Sequence, residues 1–306
     1  MSNVEQLKNE FALEGDEQET PPTSNDQGAA GNTALVRAGV IGAGKLGSTF
    51  AKMFSQDKVV VTTFDLKDDK SIDEAVTLDA GLYFVCIDVP FTETGFQKDA
   101  ELIDICKKLD NMPGKPGIIV KSTLSPETIM RLTAALSEET MATRFVYAPE
   151  LCDSSDFYDM LKFKHMIVGG APQAVDPYIE LIMRTTFLNS TNIMRAGVME
   201  ACFIKLGISG FIATQQTFWN EFYDCVSDYD ASVNYHDLRR ALGNYIDELD
   251  VSHLTMPTYI RSMLNEGTSF KKARSIGGEY MNNDIESLVS MTEKMPILDY
   301  IQNKKD

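Results

Sequence analysis

The stretch Val40-Ile41-Gly42-Ala43-Gly44-Lys45-Leu46-Gly47 limits what this chain can fold into more than any other. An apolar run from Ala34 to Ile41 reads as a buried strand, and it leads straight into a G-x-G-x-x-G loop. An amphipathic segment near Leu46 to Phe54 reads as the helix that follows. In such a unit the first glycine permits a tight turn, the second lets the backbone approach a diphosphate, and the third lets helix and strand pack closely. The helix beginning near Lys45 would aim its free N–H groups and positive dipole end at that diphosphate. Asp65 closes the next apolar run, near the spacing of about 20 residues at which a carboxylate binds adenosine ribose hydroxyls. An acid there repels a 2′-phosphate and so predicts NAD, although Lys67 and Lys70 blur the preference slightly. Gly42, Gly44, Lys45, Leu46, Gly47 and Asp65 are the expected cofactor-binding residues.

Beyond the loop, strand-like and helix-like segments alternate, which predicts an α/β fold with a Rossmann-type, doubly wound parallel sheet. Further strands are expected over Val59 to Asp65, Leu82 to Ile87, Gly117 to Lys121, Arg144 to Tyr147 and Met166 to Val168. A helix is expected near Ala100 to Leu109, and another after Ser125, a good N-cap with Pro126 at the first helical position. After about Ile193 the alternation stops and the rest reads as an all-helical second domain. Its long central helix, Val198 to about Val226, carries Phe203, Phe211, Phe218 and Phe222, a stripe that predicts core or a subunit interface. Shorter helices are expected at Tyr235 to Leu242, Thr258 to Leu264 and Asp284 to Glu293. The expected organisation is an acidic disordered tail over 1–33, a dinucleotide-binding domain over 34–195 and a helical substrate or dimerisation domain over 196–306.

Charge excludes several classes of partner. A formal net charge of -17 repels phosphate backbones and anionic lipid surfaces, so neither nucleic acid nor membrane is expected as a partner. No uninterrupted apolar stretch reaches the roughly 18 residues of a membrane span, and the first residues lack a signal pattern, which predicts a cytoplasmic protein. The five cysteines form no CxxC pair and only three histidines accompany them, so no metal site or disulfide framework is expected.

Several further segments resemble the UDP-glucose/GDP-mannose 6-dehydrogenase family. Phe84-Val85-Cys86-Ile87-Asp88-Val89-Pro90 is similar to that family's FVCVPTP, Lys121 to Thr128 to its KSTVPPGT, and Ala148-Pro149-Glu150-Leu151 to its NPEF. Lys205, upstream of Asn220-Glu221, resembles its lysine on the long central helix. The resemblance implies oxidation of a nucleotide-sugar primary alcohol with NAD. It implies that Val89, Thr123 and Glu150 join the cofactor site. Thr123 and Glu150 would hold a water near the reacting carbon, and Lys205 would stabilise the developing alkoxide. Leu151, Lys205, Ser209, Gly277, Gly278 and Tyr280 fall at substrate positions, and Asp284 at a catalytic one. It also implies a homodimer through the central helix.

The departures are as informative. Gly277-Gly278-Glu279-Tyr280-Met281-Asn282-Asn283-Asp284 aligns with the family's GGSCFPKD, so Tyr280 stands at the nucleophilic cysteine and Asn283 at the lysine. A phenol with a pKa of about 10 is mostly protonated at neutral pH and is a poor substitute for a thiolate. Ser209 replaces an asparagine, and the sequence stops at Asp306 without the family's second nucleotide-binding domain. Oxidation without the thiohemiacetal step is therefore expected. The alternatives are an inactive NAD-binding homologue with a structural or interaction role, and a short hydroxyacid dehydrogenase, against which the Lys-Ser-Thr and Pro-Glu segments argue.

Overall fold

The computed structural model describes residues 36–54, 58–65, 78, 80–92, 95–151, 165–186, 192–230, 232–234, 237–238, 240–242 and 300. All lie in the unit spanning residues 35–306. Strands β1 (Val36–Ile41), β2 (Val59–Phe64), β3 (Leu82–Val85), β4 (Gly117–Val120), β5 (Phe145–Tyr147), β6 (His165–Gly169) and β7 (Asn192–Ala196) form one sheet, in the order β2-β1-β3-β4-β5-β6-β7. The helices are α1 (Lys45–Lys52), α2 (Ala100–Asp110), α3 (Pro126–Ala135), α4 (Glu138–Thr143), α5 (Pro172–Thr185) and α6 (Val198–Tyr229).

The middle strands β3, β4 and β5 are buried on both faces, which is why they read as unbroken apolar runs. Along β3 the side chains alternate. Tyr83 and Val85 join Leu102, Ile105 and Leu109 of α2 and Ile129 and Leu132 of α3 in one core. Leu82 and Phe84 join Phe50 and Met53 of α1 and Val175, Tyr178 and Ile182 of α5 in the other. The Phe84 ring meets that of Phe50 edge-on at 4.8 Å. This is the expected Rossmann-type architecture.

Two expectations are corrected. The sheet is not parallel throughout, because β6 pairs antiparallel with β5, with Tyr147 opposite Gly169. The alternation also does not stop where the sequence suggested. Asn192–Ala196 forms a seventh strand, parallel to β6. As an edge strand it buries little, so its Asn-Ile-Met-Arg-Ala pattern carries no strong apolar signal.

Helix α3 begins as anticipated, with Ser125 Oγ accepting from the Thr128 N–H at 3.2 Å and Pro126 opening the first turn. Helix α6 runs 32 residues. Ala201, Cys202, Leu206, Ile212 and Ala213 face the core, whereas Phe203, Phe211 and Phe218 are 46%, 42% and 56% exposed. These three rings are thus not core among the described residues, and Phe222 is half-buried, stacked on Phe218 at 6.0 Å. By length and composition alone α6 could cross a membrane, but its first half is packed on the sheet. Of the shorter helices, Tyr235 to Leu242 is described only in part, and Thr258 to Leu264 and Asp284 to Glu293 lie outside the described residues.

Candidate functional site

The glycine loop sits where the sheet order reverses, with β2 on one side of β1 and β3 on the other, the usual position of a ligand crevice in such sheets. Gly42 has φ +94, a conformation a side chain would strain, and a Cβ there would lie 2.5 Å from the Cys86 carbonyl oxygen. A Cβ on Gly47 would fall 1.9 Å from the Gly42 carbonyl oxygen, so α1 and the turn can touch only because that atom is missing. Gly44 differs: a Cβ there would meet nothing within 4 Å. Neither contact nor φ demands a glycine at Gly44, and the space a methyl would fill is open for a ligand. Gly44 is also the N-cap of α1 and supplies no side-chain cap, leaving the N–H groups of the first turn for an anion. The Gly42 N–H donates to the Phe64 carbonyl at 2.8 Å, which sets Asp65, the next residue, beside the turn. These residues fit the diphosphate and ribose of a dinucleotide.

Across the crevice the wall is made of side-chain hydrogen bonds. Ser122 Oγ donates to the Ile87 carbonyl at 2.6 Å. Gln97, 4% exposed, donates from Nε2 to the Val89 carbonyl at 3.1 Å and the Thr123 carbonyl at 3.2 Å, and accepts at Oε1 from the Ser125 N–H at 2.7 Å. The Tyr147 hydroxyl accepts from the Leu124 N–H at 3.3 Å, and Cys202 Sγ donates to the Leu124 carbonyl at 3.2 Å. Of the three hydroxyls on Ser122, Thr123 and Ser125, those of the two serines are used in this scaffold. The Thr123 hydroxyl makes no hydrogen bond among the described residues, and Thr123 is only partly buried.

Lys121 lies beneath this wall, 1% exposed, with Nζ donating to the Ala148 carbonyl at 3.0 Å, paired to Glu150 Oε2 at 3.3 Å and 4.6 Å from the Phe50 ring centroid. Burial works against its charge, but the Glu150 carboxylate and neighbouring groups outweigh burial and hold its pKa above the ordinary lysine value. Burial pushes the Cys86 thiol and the Tyr178 hydroxyl, both coupled to this pair, up to about 12, so neither is a nucleophile at neutral pH. Glu150 also accepts at Oε1 from the Leu151 N–H at 3.3 Å. Both carboxylate oxygens of the expected water-activating residue are therefore engaged. Lys205 is 9% exposed and donates to Ser209 Oγ at 3.4 Å. The Cys202 bond to Leu124, one helical turn before Lys205, docks this part of α6 beside the Thr123 loop.

The side chains of Val89 and Leu151 are buried in the core, and Val89 reaches the site through its carbonyl. Gly277, Gly278, Tyr280 and Asp284 lie outside the described residues, as does Cys152. Sequence reasoning assigned no role to Gln97 or Lys121. Gln97 sits in a loop without a motif, whereas a lysine closing the apolar strand Gly117–Val120 is a usable signal of a buried charge. Among the described residues no group of His, Cys, Asp or Glu could hold a metal ion.

Fold and crevice together define an α/β protein with a Rossmann-type sheet. Solved structures that share the arrangement include nucleotide-sugar dehydrogenases. A UDP-glucose dehydrogenase from the hyperthermophilic archaeon Pyrobaculum islandicum superposes with a TM-score of 0.65 over 90% of this chain and 69% of its own, at 14% identity. A UDP-D-ManNAc dehydrogenase from Pyrococcus horikoshii gives 0.61, 88% and 68% at 16% identity. The GDP-mannose dehydrogenase from Pseudomonas aeruginosa gives 0.58, 88% and 68% at 18% identity. At such identities the likeness establishes the fold. No protein-family model matches the chain, and no curated protein matches it in sequence.

Proposed function

We propose that the chain is an NAD-dependent oxidoreductase of the nucleotide-sugar dehydrogenase type that oxidises a primary alcohol of its substrate and stops at the aldehyde. The observation that carries this reading is the division of labour in the glycine loop, where Gly42 and Gly47 are required by the fold and Gly44 is open toward a ligand. The N–H groups of Lys45, Leu46 and Gly47 would hold the diphosphate and Asp65 the ribose hydroxyls. NAD, when bound, supplies the hydride acceptor. The Thr123 hydroxyl, unengaged by its neighbours, orients the alcohol, and the Lys205 ammonium stabilises the alkoxide left as the hydroxyl proton departs. Glu150, oriented by Lys121, contributes negative charge to the same wall. With Tyr280 and Asn283 at the positions of the family's cysteine and lysine, no thiohemiacetal forms, and each sugar yields one NADH and one proton.

The test is to incubate the protein with NAD and a panel of UDP and GDP sugars and to count NADH per sugar. One is expected, and two would contradict the stop at the aldehyde. A second reading, an NAD-binding protein without turnover, is favoured by the engagement of both Glu150 oxygens, and binding of NADH with no turnover of any sugar would select it. In either case a second copy is proposed to cover Phe203, Phe211 and Phe218 on α6, and light scattering that finds a monomer at micromolar concentration would count against it.

A further inference from the structure

We propose that Gln97 is a positioning residue that sets the nicotinamide half of the crevice while leaving the adenosine half alone. The inference rests on the NAD reading above. The sheet order supplies the division. Asp65 follows β2, on one side of the glycine loop, whereas Val89 and Thr123 follow β3 and β4, on the other. A dinucleotide lying across the switch point puts its adenosine ribose on the first side and its nicotinamide on the second.

Ser122 ties the β4 loop to the β3 loop at one point, Ile87, whereas the Gln97 amide holds Val89 of the β3 loop and Thr123 and Ser125 of the β4 loop at once. Its amide has one workable orientation, because the two carbonyls need N–H donors and the Ser125 N–H needs an acceptor. Turning it over would set Oε1 against two carbonyl oxygens. One nitrogen therefore fixes the distance between the Val89 and Thr123 main chains, and the oxygen fixes Ser125, whose hydroxyl caps α3. The Thr123 side chain is aimed by this clamp.

The experiment titrates NADH and ADP-ribose separately into the full chain and into Gln97→Glu and Gln97→Leu, with thermal melting of each protein alone. Glutamate keeps the acceptor for Ser125 but, when ionised, loses both donors. The expected result is NADH affinity about tenfold weaker in both variants, roughly the worth of one neutral hydrogen bond. ADP-ribose, which lacks nicotinamide, should bind within about twofold of the parent, since the glycine loop and Asp65 are unchanged. In Gln97→Glu the NADH deficit should shrink from about pH 8 to about pH 5.5, as the buried carboxyl takes up a proton and regains one donor. Gln97→Leu should show no such recovery. A folded variant with parental NADH affinity overturns the inference. So does an equal loss for both ligands without recovery in acid, which a merely structural role would give. Failure of the parent to bind either ligand overturns the NAD reading, and the inference with it.

Discussion

The two walls of the crevice are built from different materials. On the β1–α1–β2 side the geometry is main chain: a positive φ at Gly42, a missing Cβ at Gly47 and an N–H given by Gly42 to Phe64. On the β3–β4 side it is side chain, with Gln97, Ser122, Tyr147 and Cys202 holding successive residues of one short segment, and Lys121 pinning Ala148 and Glu150 beneath it. The first kind of wall tolerates few substitutions at few positions. The second spreads its demands over residues far apart in sequence.

Four substitutions press on that contrast. Lys121→Met should do the most damage to stability, about 3 to 5 kcal/mol by denaturant unfolding, because it strips a largely buried carboxylate of its partner. A loss below about 1 kcal/mol would mean the side-chain wall does not depend on its ion pair. Gly47→Ala comes next, at about 3 kcal/mol with NADH binding lost, since the new methyl collides with the Gly42 carbonyl. If that variant melts like the parent, the main-chain wall is softer than its contacts indicate.

Asp110→Asn tests a side-chain network of similar build away from the crevice. Asp110 is nearly buried, which raises its pKa, but hydrogen bonds from Thr140 and Ser137 and the charge of Arg144 outweigh burial and hold it below the usual aspartate range. A depressed folded pKa contributes stability above the unfolded value of about 3.9 and loses it as pH falls through the folded pKa. Urea midpoints should therefore separate parent and variant by about 1.5 kcal/mol at neutral pH and converge below about pH 4, with cofactor affinity unmoved. Gly44→Ala has the smallest effect on folding, near zero, because its Cβ meets no atom of the chain and its φ of -63 suits any residue. Its cost should fall on NADH affinity instead, and a stability loss comparable to that of Gly47→Ala would erase the distinction between the two glycines.

The same contrast explains what was legible in the sequence. The glycine loop, Asp65, the cap at Ser125 and most strands were readable because they depend on local spacing and on unbroken apolar runs. Strand β7 was not, since an edge strand buries little, and the reversal of β6 was not, since strand direction leaves no trace in composition. Gln97 was invisible because its meaning comes from Thr123 and Ser125, more than two dozen residues away. Glu150 was readable as a carboxylate near the site, but its engagement with Lys121 emerges only when β4 and β5 are laid side by side.

One detail of the side-chain wall extends to motion. The amides of Leu124 and Ser125 are given to the Tyr147 hydroxyl and the Gln97 amide oxygen and to no strand partner. Their exchange with deuterium can proceed by turning a side chain, without parting the sheet. Slowing of those two amides when a dinucleotide is added would record the tightening of this wall alone, while amides in the middle of β4 keep the pace set by opening of the sheet.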